Sequence, residues 1–104
     1  MVDEERVREA LNDVLDPELD LSIVELGLVY MIRLEQQQDG LHAEVDMTLT
    51  SPGCPAAAEI MAAAHRAALT VDGLDSVHIN LVWTPRWDAK THASEDALME
   101  MGIW

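Results

Sequence analysis

Leu41-His42-Ala43-Glu44-Val45-Asp46-Met47-Thr48-Leu49-Thr50-Ser51-Pro52-Gly53-Cys54-Pro55 is the stretch that decides how this chain folds. Leu41, Ala43, Val45, Met47 and Leu49 are apolar, and His42, Glu44, Asp46, Thr48 and Thr50 between them are polar. Unbroken alternation is the pattern of a strand with one face on a core and the other in water. Ser51-Pro52-Gly53 then breaks the strand, and alanines dominate the residues that follow. A helix is predicted from Pro55 to Thr70, with Pro55 at its first helical position and Cys54 as its N-cap.

Upstream, Asp39-Gly40 is a hairpin signal. Before it, Leu28, Tyr30, Ile32 and Leu34 share one face of a predicted strand, with Arg33 and Glu35 on the other. Ser22-Ile23-Val24-Glu25 has the form of a capping box, and Gly27 suits a helix end, so one short helical turn is expected there. A first helix is predicted from Asp3 to Leu15, because Val7, Ala10, Leu11, Val14 and Leu15 form one stripe at helical spacing. Pro17 disfavours helix at the preceding residue.

Downstream, Val77, Ile79, Leu81 and Trp83 alternate with His78, Asn80 and Val82 as a third strand. Thr84-Pro85-Arg86-Trp87 breaks it, and Ser94-Glu95-Asp96 opens a last helix that Gly102 closes. The predicted order is α-β-β-α-β-α. That implies an α+β fold, a two-layer sandwich whose helices cover one face of a three-stranded sheet. The first two strands are antiparallel. The third runs parallel to the second if it lies beside it, and the order is open at this stage.

Length and composition fit a single domain over residues 1–104. Twenty acidic residues against six basic ones give a formal charge of −14. Nucleic-acid binders need a positive footprint, and anionic membranes repel a chain of this sign, so no nucleic acid and no membrane is expected. No apolar run is long enough to span a bilayer. The acidic start, Met1-Val2-Asp3-Glu4-Glu5, does not resemble a secretory or mitochondrial targeting segment. A single cysteine allows no internal disulfide, and a cytoplasmic location is expected. Phenylalanine is absent, so the core is aliphatic with methionine as filler. A core of this kind in so small a chain would gain from self-association, and a homodimer is expected. Its interface would be the second helix, the Cys54 loop, or an outer sheet face carrying Val29, Met31 and Val82.

Cys54 is the first candidate for chemistry. At a helix N-terminus, free amides and the helix dipole favour thiolate, lowering the thiol pKa below the free value of about 8.5. Thiolate is the form that binds soft metals and attacks electrophiles. A small residue buried in a turn accounts for the same position. A thiol enzyme needs a base within reach. His65 lies eleven residues along the helix, roughly 16 Å away. His42 and His78 belong to wet strand faces, and His92 to a loop, so no enzyme is expected. An iron–sulfur cluster typically takes four cysteine ligands. One per chain makes any bound cluster transient and shared with a second chain, a client or a small thiol. Asp16-Pro17-Glu18-Leu19-Asp20 is the second candidate, either a cation-attracting cluster or a solvated acidic turn.

Five segments together make a recognisable set. They are Asp16-Pro17-Glu18, Ser22 to Tyr30, Met47 to Pro55, Leu81 to Trp87, and Met101-Gly102-Ile103-Trp104. In this order they resemble the SufT/PaaD-like family of iron–sulfur assembly factors. The same domain type occurs in the eukaryotic cytosolic cluster-targeting complex and in some Mrp-type ATPases. The resemblance implies a non-catalytic cytoplasmic role in maturing iron–sulfur proteins. Cys54 would relay a cluster or iron to client apoproteins, alongside other assembly proteins. It implies a functional loop of Thr50, Pro52, Cys54 and Pro55, with Asp16 and Glu18 as its acidic motif. The alternative is a metal-free adaptor in a cluster-targeting or oxygenase-assembly complex. The cysteine-rich extension of PaaD proteins has no counterpart in this sequence, which favours a general SufT-like role. Glu25 stands where the family pattern usually has Asp.

Overall fold

Asp3 caps the first helix through its carboxylate, which accepts from the Arg6 amide at 3.0 Å, and Glu4 and Glu5 occupy the first turn at the positive end of the dipole. The helix, α1, spans Glu4–Leu11 and buries Val7 and Leu11 completely. It stops four residues before the predicted end at Leu15. Asn12 and Asp13 are poor helix formers whose side chains compete with the backbone, and the amides of Asp13 and Val14 close tightened turns onto Ala10 and Leu11. Val14 still enters the core, whereas Leu15 is 49% exposed. A computed structural model describes residues 2–17, 19–50 and 56–102.

The chain next forms a two-strand ladder absent from the sequence expectation, β1 (Leu15–Asp16) antiparallel to β2 (Leu21–Ser22). The Ser22 hydroxyl donates to Asn12 Oδ1 and accepts from the Val24 amide, fastening this hairpin to the end of α1. From Ser22 to Gly27 the backbone makes the expected single turn, the Leu26 amide donating to the Ser22 carbonyl at 2.9 Å, without continuing into a helix. Only the serine half of the predicted capping box forms, because Glu25 accepts from the Ser94 hydroxyl instead. Gly27 has φ 76, and an added Cβ would lie 2.0 Å from the His92 carbonyl oxygen, so only glycine fits this close approach.

β3 (Val29–Gln37) and β4 (Gly40–Met47) pair antiparallel, with Ile32 opposite Val45. A bulge between Val29 and Met31 shifts the register. It turns Val29 inward at 7% exposure and Met31 outward at 49%, which removes Val29 from the predicted outer face. Tyr30 leaves the inner row predicted for it, and its hydroxyl donates to the Pro85 carbonyl at 2.9 Å.

α2 (Ala57–Leu69) starts two residues later than predicted. Its N-cap position is Ala56, with no side-chain capping bond, so the N-cap role predicted for Cys54 is not realised. β5 (Ser76–Leu81) pairs parallel with β4, with Val77 beside Ala43 and Ile79 beside Val45. The strand order β3-β4-β5 settles the open point, and the sheet is mixed. Trp83 lies beyond the strand that was predicted to contain it and is 44% exposed. Two short helices follow. α3 (Ala89–His92) was not predicted, and α4 (Glu95–Met101) has the predicted Ser94 cap and a left-handed Gly102 end.

The core joins Val7 and Leu11 of α1 and Ile60, Ala64 and Ala68 of α2 to Ile32, Val45, Met47 and Ile79 of the sheet. α1 and α2 also pack on each other. Each fully buried aliphatic side chain contributes on the order of 1.5–3 kcal/mol. The opposite sheet face carries Arg33, His42, Glu44, Asp46, His78 and Asn80, and the expected two-layer α+β architecture holds.

Candidate functional site

The acidic turn is not the solvated loop that its composition suggests. Asp16 is 1% exposed, and its Oδ1 accepts from the Leu19 amide at 3.2 Å. The Asp20 amide donates to the Asp16 carbonyl at 2.7 Å, and Asp20 itself takes φ 56, which closes the turn tightly after Pro17. A buried carboxylate is costly unless hydrogen bonds offset its lost hydration, so Asp16 is fixed in place. Asp20 stays exposed.

Beside this turn lies a groove of about 580 Å³ between the hairpin and α2. Leu15 and Pro17 form one wall, and Ala58, Ala62, Glu59 and Arg66 belong to the other. Pro17 is the neighbour of Asp16 in sequence, and Ala58 follows Pro55 by three residues. The fold thus brings the flank of the acidic motif and the first turn of α2 onto one groove, although some forty residues separate them in sequence. Among the described residues no side chain caps the start of α2, the positive end of a helix dipole.

Of the predicted loop, Thr50 is half-buried at the end of the strand's continuation. Glu18, Pro52, Cys54 and Pro55 lie outside the described residues. Sequence reasoning overlooked Thr48. It is fully buried, its amide donates to Leu28 O at 2.8 Å, and its Oγ1 has no hydrogen-bond partner among the described residues. The signal was present in the alternation: Thr48 occupies a wet-face position in a strand that ends one residue earlier, where the chain turns inward.

The four histidines sit elsewhere. His65 is exposed on α2. His92 ends α3 and stacks on Tyr30 with ring centroids 5.2 Å apart. Partial burial pushes the Tyr30 phenol above its ordinary value. His42 and His78 flank Glu44 on the outer sheet face. His42 Nε2 meets Glu44 Oε2, and His78 Nδ1 lies 3.1 Å from Oε1, which also accepts from Asn80 at 2.9 Å. These bonds, His42's foremost, hold the Glu44 carboxyl down at about 2. Among the described residues no group of three or more His, Cys, Asp or Glu side chains is arranged to hold a metal ion. Nor is any of their helices long and apolar enough to cross a membrane.

The segment after β5 is tied to the turn that follows β2. Trp87 Nε1 donates to the Leu26 carbonyl at 2.7 Å, and the Ser94 amide donates to Glu25 O at 2.8 Å. The segment after β5 therefore clasps the Ser22–Gly27 turn.

Comparison with known proteins agrees with this architecture. The Fe-S protein maturation auxiliary factor YitW of Bacillus subtilis is 37% identical over 99 residues, covering 95% of this chain and 93% of the relative. The Fe-S protein maturation auxiliary factor SufT of Staphylococcus aureus is 37% identical over 90 residues, covering 86% of this chain and 98% of the relative. A crystal structure of a DUF59 domain from Bacillus anthracis superposes with a TM-score of 0.85 at 34% identity, covering 97% of this chain and 92% of that one. Residues 4–81 match the family described as iron-sulfur cluster assembly protein, and with the α+β fold and the acidic turn set beside α2, the chain belongs to that family.

Proposed function

We propose that this protein is a cytoplasmic, non-catalytic maturation factor that helps pass a transient iron–sulfur cluster, or iron, to client apoproteins through Cys54. The cluster is cargo. The observation that carries the proposal is the shared groove, where the buried Asp16 turn meets the start of α2, the helix that Cys54 precedes by three residues. Family membership and the names of its relatives, Fe-S protein maturation auxiliary factors, support the same role. In this reading Cys54 supplies one thiolate ligand, and Asp16 and Glu18 fix the loop of Thr50, Pro52 and Pro55 around it. The remaining ligands come from a client, an assembly partner, a second copy in a homodimer, or a small thiol.

The test is anaerobic reconstitution with iron and sulfide, with and without glutathione. Cluster absorbance that requires both Cys54 and the added thiol is the expected result. A stable cluster on an isolated monomer without thiol would contradict the ligand count. One observation favours a second reading, a metal-free adaptor between scaffold and client: the chain has a single cysteine. Wild-type and Cys54→Ser protein that capture the same client proteins, neither taking up iron, is the outcome that would establish it.

A further inference from the structure

The groove between the hairpin and α2 has charges at its edge that pair with nothing among the described residues. Glu59 and Arg66 are both exposed on α2, seven residues and about 10.5 Å apart along the axis. Among the described residues neither makes an ion pair; those present join Arg33 to Asp46 and Glu44 to His42 and His78. Between them Ala62 is exposed, in line with Ala58, and Leu15 projects beside the same groove at 49% exposure. Ile60, Ala64 and Ala68 point the other way, into the core.

We infer that this face of α2 is the two-fold interface of a homodimer, in which Glu59 of each copy meets Arg66 of the other. The inference rests on the homodimer in the proposed function and names its surface; because the two α2 helices run antiparallel across it, their starts lie at opposite ends of the contact, and in this dimer the cluster ligands beyond Cys54 come from a client, an assembly partner or a small thiol rather than from the second copy. A two-fold axis beside Ala62 and Ala63 sets two α2 helices antiparallel. It places position 59 opposite position 66 twice over, as an isologous contact requires. Alanine at the crossing lets the helix axes approach closely, and Leu15 fills the space alongside. Charge selects a second copy over other occupants. A purely basic partner would confront Arg66, and a purely acidic one would confront Glu59 together with the overall charge of −14. The contact is small against the roughly 1,200–2,000 Å² of a standard interface, and the two copies repel through their net charge, so association is weak.

The experiment is sedimentation velocity on the full chain from about 10 to 500 micromolar, where weak association of this kind becomes visible. Wild type is expected to shift from monomer to dimer within that range. Glu59→Arg and Arg66→Glu each bring like charges together at both symmetric contacts and should weaken the dimer about tenfold. The double variant exchanges the charges and should restore association to within about threefold of wild type. An equimolar mixture of the two single variants should form a heterodimer that neither forms alone. Ala62→Trp, at an exposed position, should abolish association by holding the helices apart while circular dichroism stays native. A dimer that ignores all these changes would overturn the interface and leave the homodimer standing. A wild-type monomer throughout would overturn both. The cluster test on Cys54 is read independently of either result.

Discussion

Two acidic centres of this molecule behave in opposite ways. Glu44 stands on the outer sheet face with its side chain 22% exposed, and its partners His42, His78 and Asn80 all come from β4 and β5. Its strong acidity follows from those contacts, and the cluster ties the parallel pair together. Asp16 is buried in a tight turn on the rim of a groove, and the helix across that groove begins just after the Cys54 loop. Glu44 thus has a complete structural explanation in its own neighbours. Asp16 sits beside the groove at which, in the proposed function, a partner or cargo arrives. A shifted pKa marks a functional site only when the groups causing it leave something for the site to do.

Substitutions can break this contrast. The largest effect is expected at Asp16. Asp16→Leu removes the acceptor of the Leu19 amide and forces an apolar side chain into a polar turn, at a cost of about 2–4 kcal/mol by denaturant unfolding. Asp16→Asn keeps an acceptor at that place and should cost only about 1 kcal/mol, so any larger deficit in cluster handling reports the carboxylate's charge. A Leu variant as stable as wild type would mean that the turn does not depend on the buried carboxylate.

Glu44→Gln should cost less than about 1 kcal/mol at neutral pH, because the cluster is partly solvated. Its effect lies in the acid limb. The Glu44 carboxyl is depressed from 4.5 to about 2 in the folded protein. The stability it contributes is therefore fully present above about 4.5 and is lost as pH falls from there towards about 2. The Gln variant should flatten that part of the stability–pH curve, and an unchanged slope would refute the hydrogen-bond explanation.

Thr48→Val should have the smallest effect on stability, within about 1 kcal/mol and in the stabilising direction. It replaces a buried hydroxyl that has no partner among the described residues by a methyl of the same shape. Destabilisation by several kcal/mol in thermal melts would show that the hydroxyl is in fact bonded.

Legibility in the sequence follows the same divide. The run from Leu41 to Leu49 was readable because one face is wet and the alternation is unambiguous. From Leu28 to Ile32 both parities are apolar, so periodicity could not locate the bulge that turns Val29 in and Met31 out. Val14 and Leu15 matched the helical stripe of α1, and the stop at Asn12-Asp13 rested on weak propensities that tertiary packing decided. The β1–β2 ladder and α3 are too short to carry a period. Cys54, Asp16 and Glu18 stood out through residue type, neighbouring prolines and family resemblance. The burial of Asp16 did not, because three carboxylates around a proline look the same in sequence whether solvated or folded inward.

The central claim, a reactive thiolate ahead of α2, is tested most directly by alkylating Cys54 in the folded protein across pH. The account predicts fast, complete labelling with a midpoint below the free-thiol value of about 8.5, and no labelling in Cys54→Ser. A thiol that resists alkylation until the protein is unfolded would contradict it.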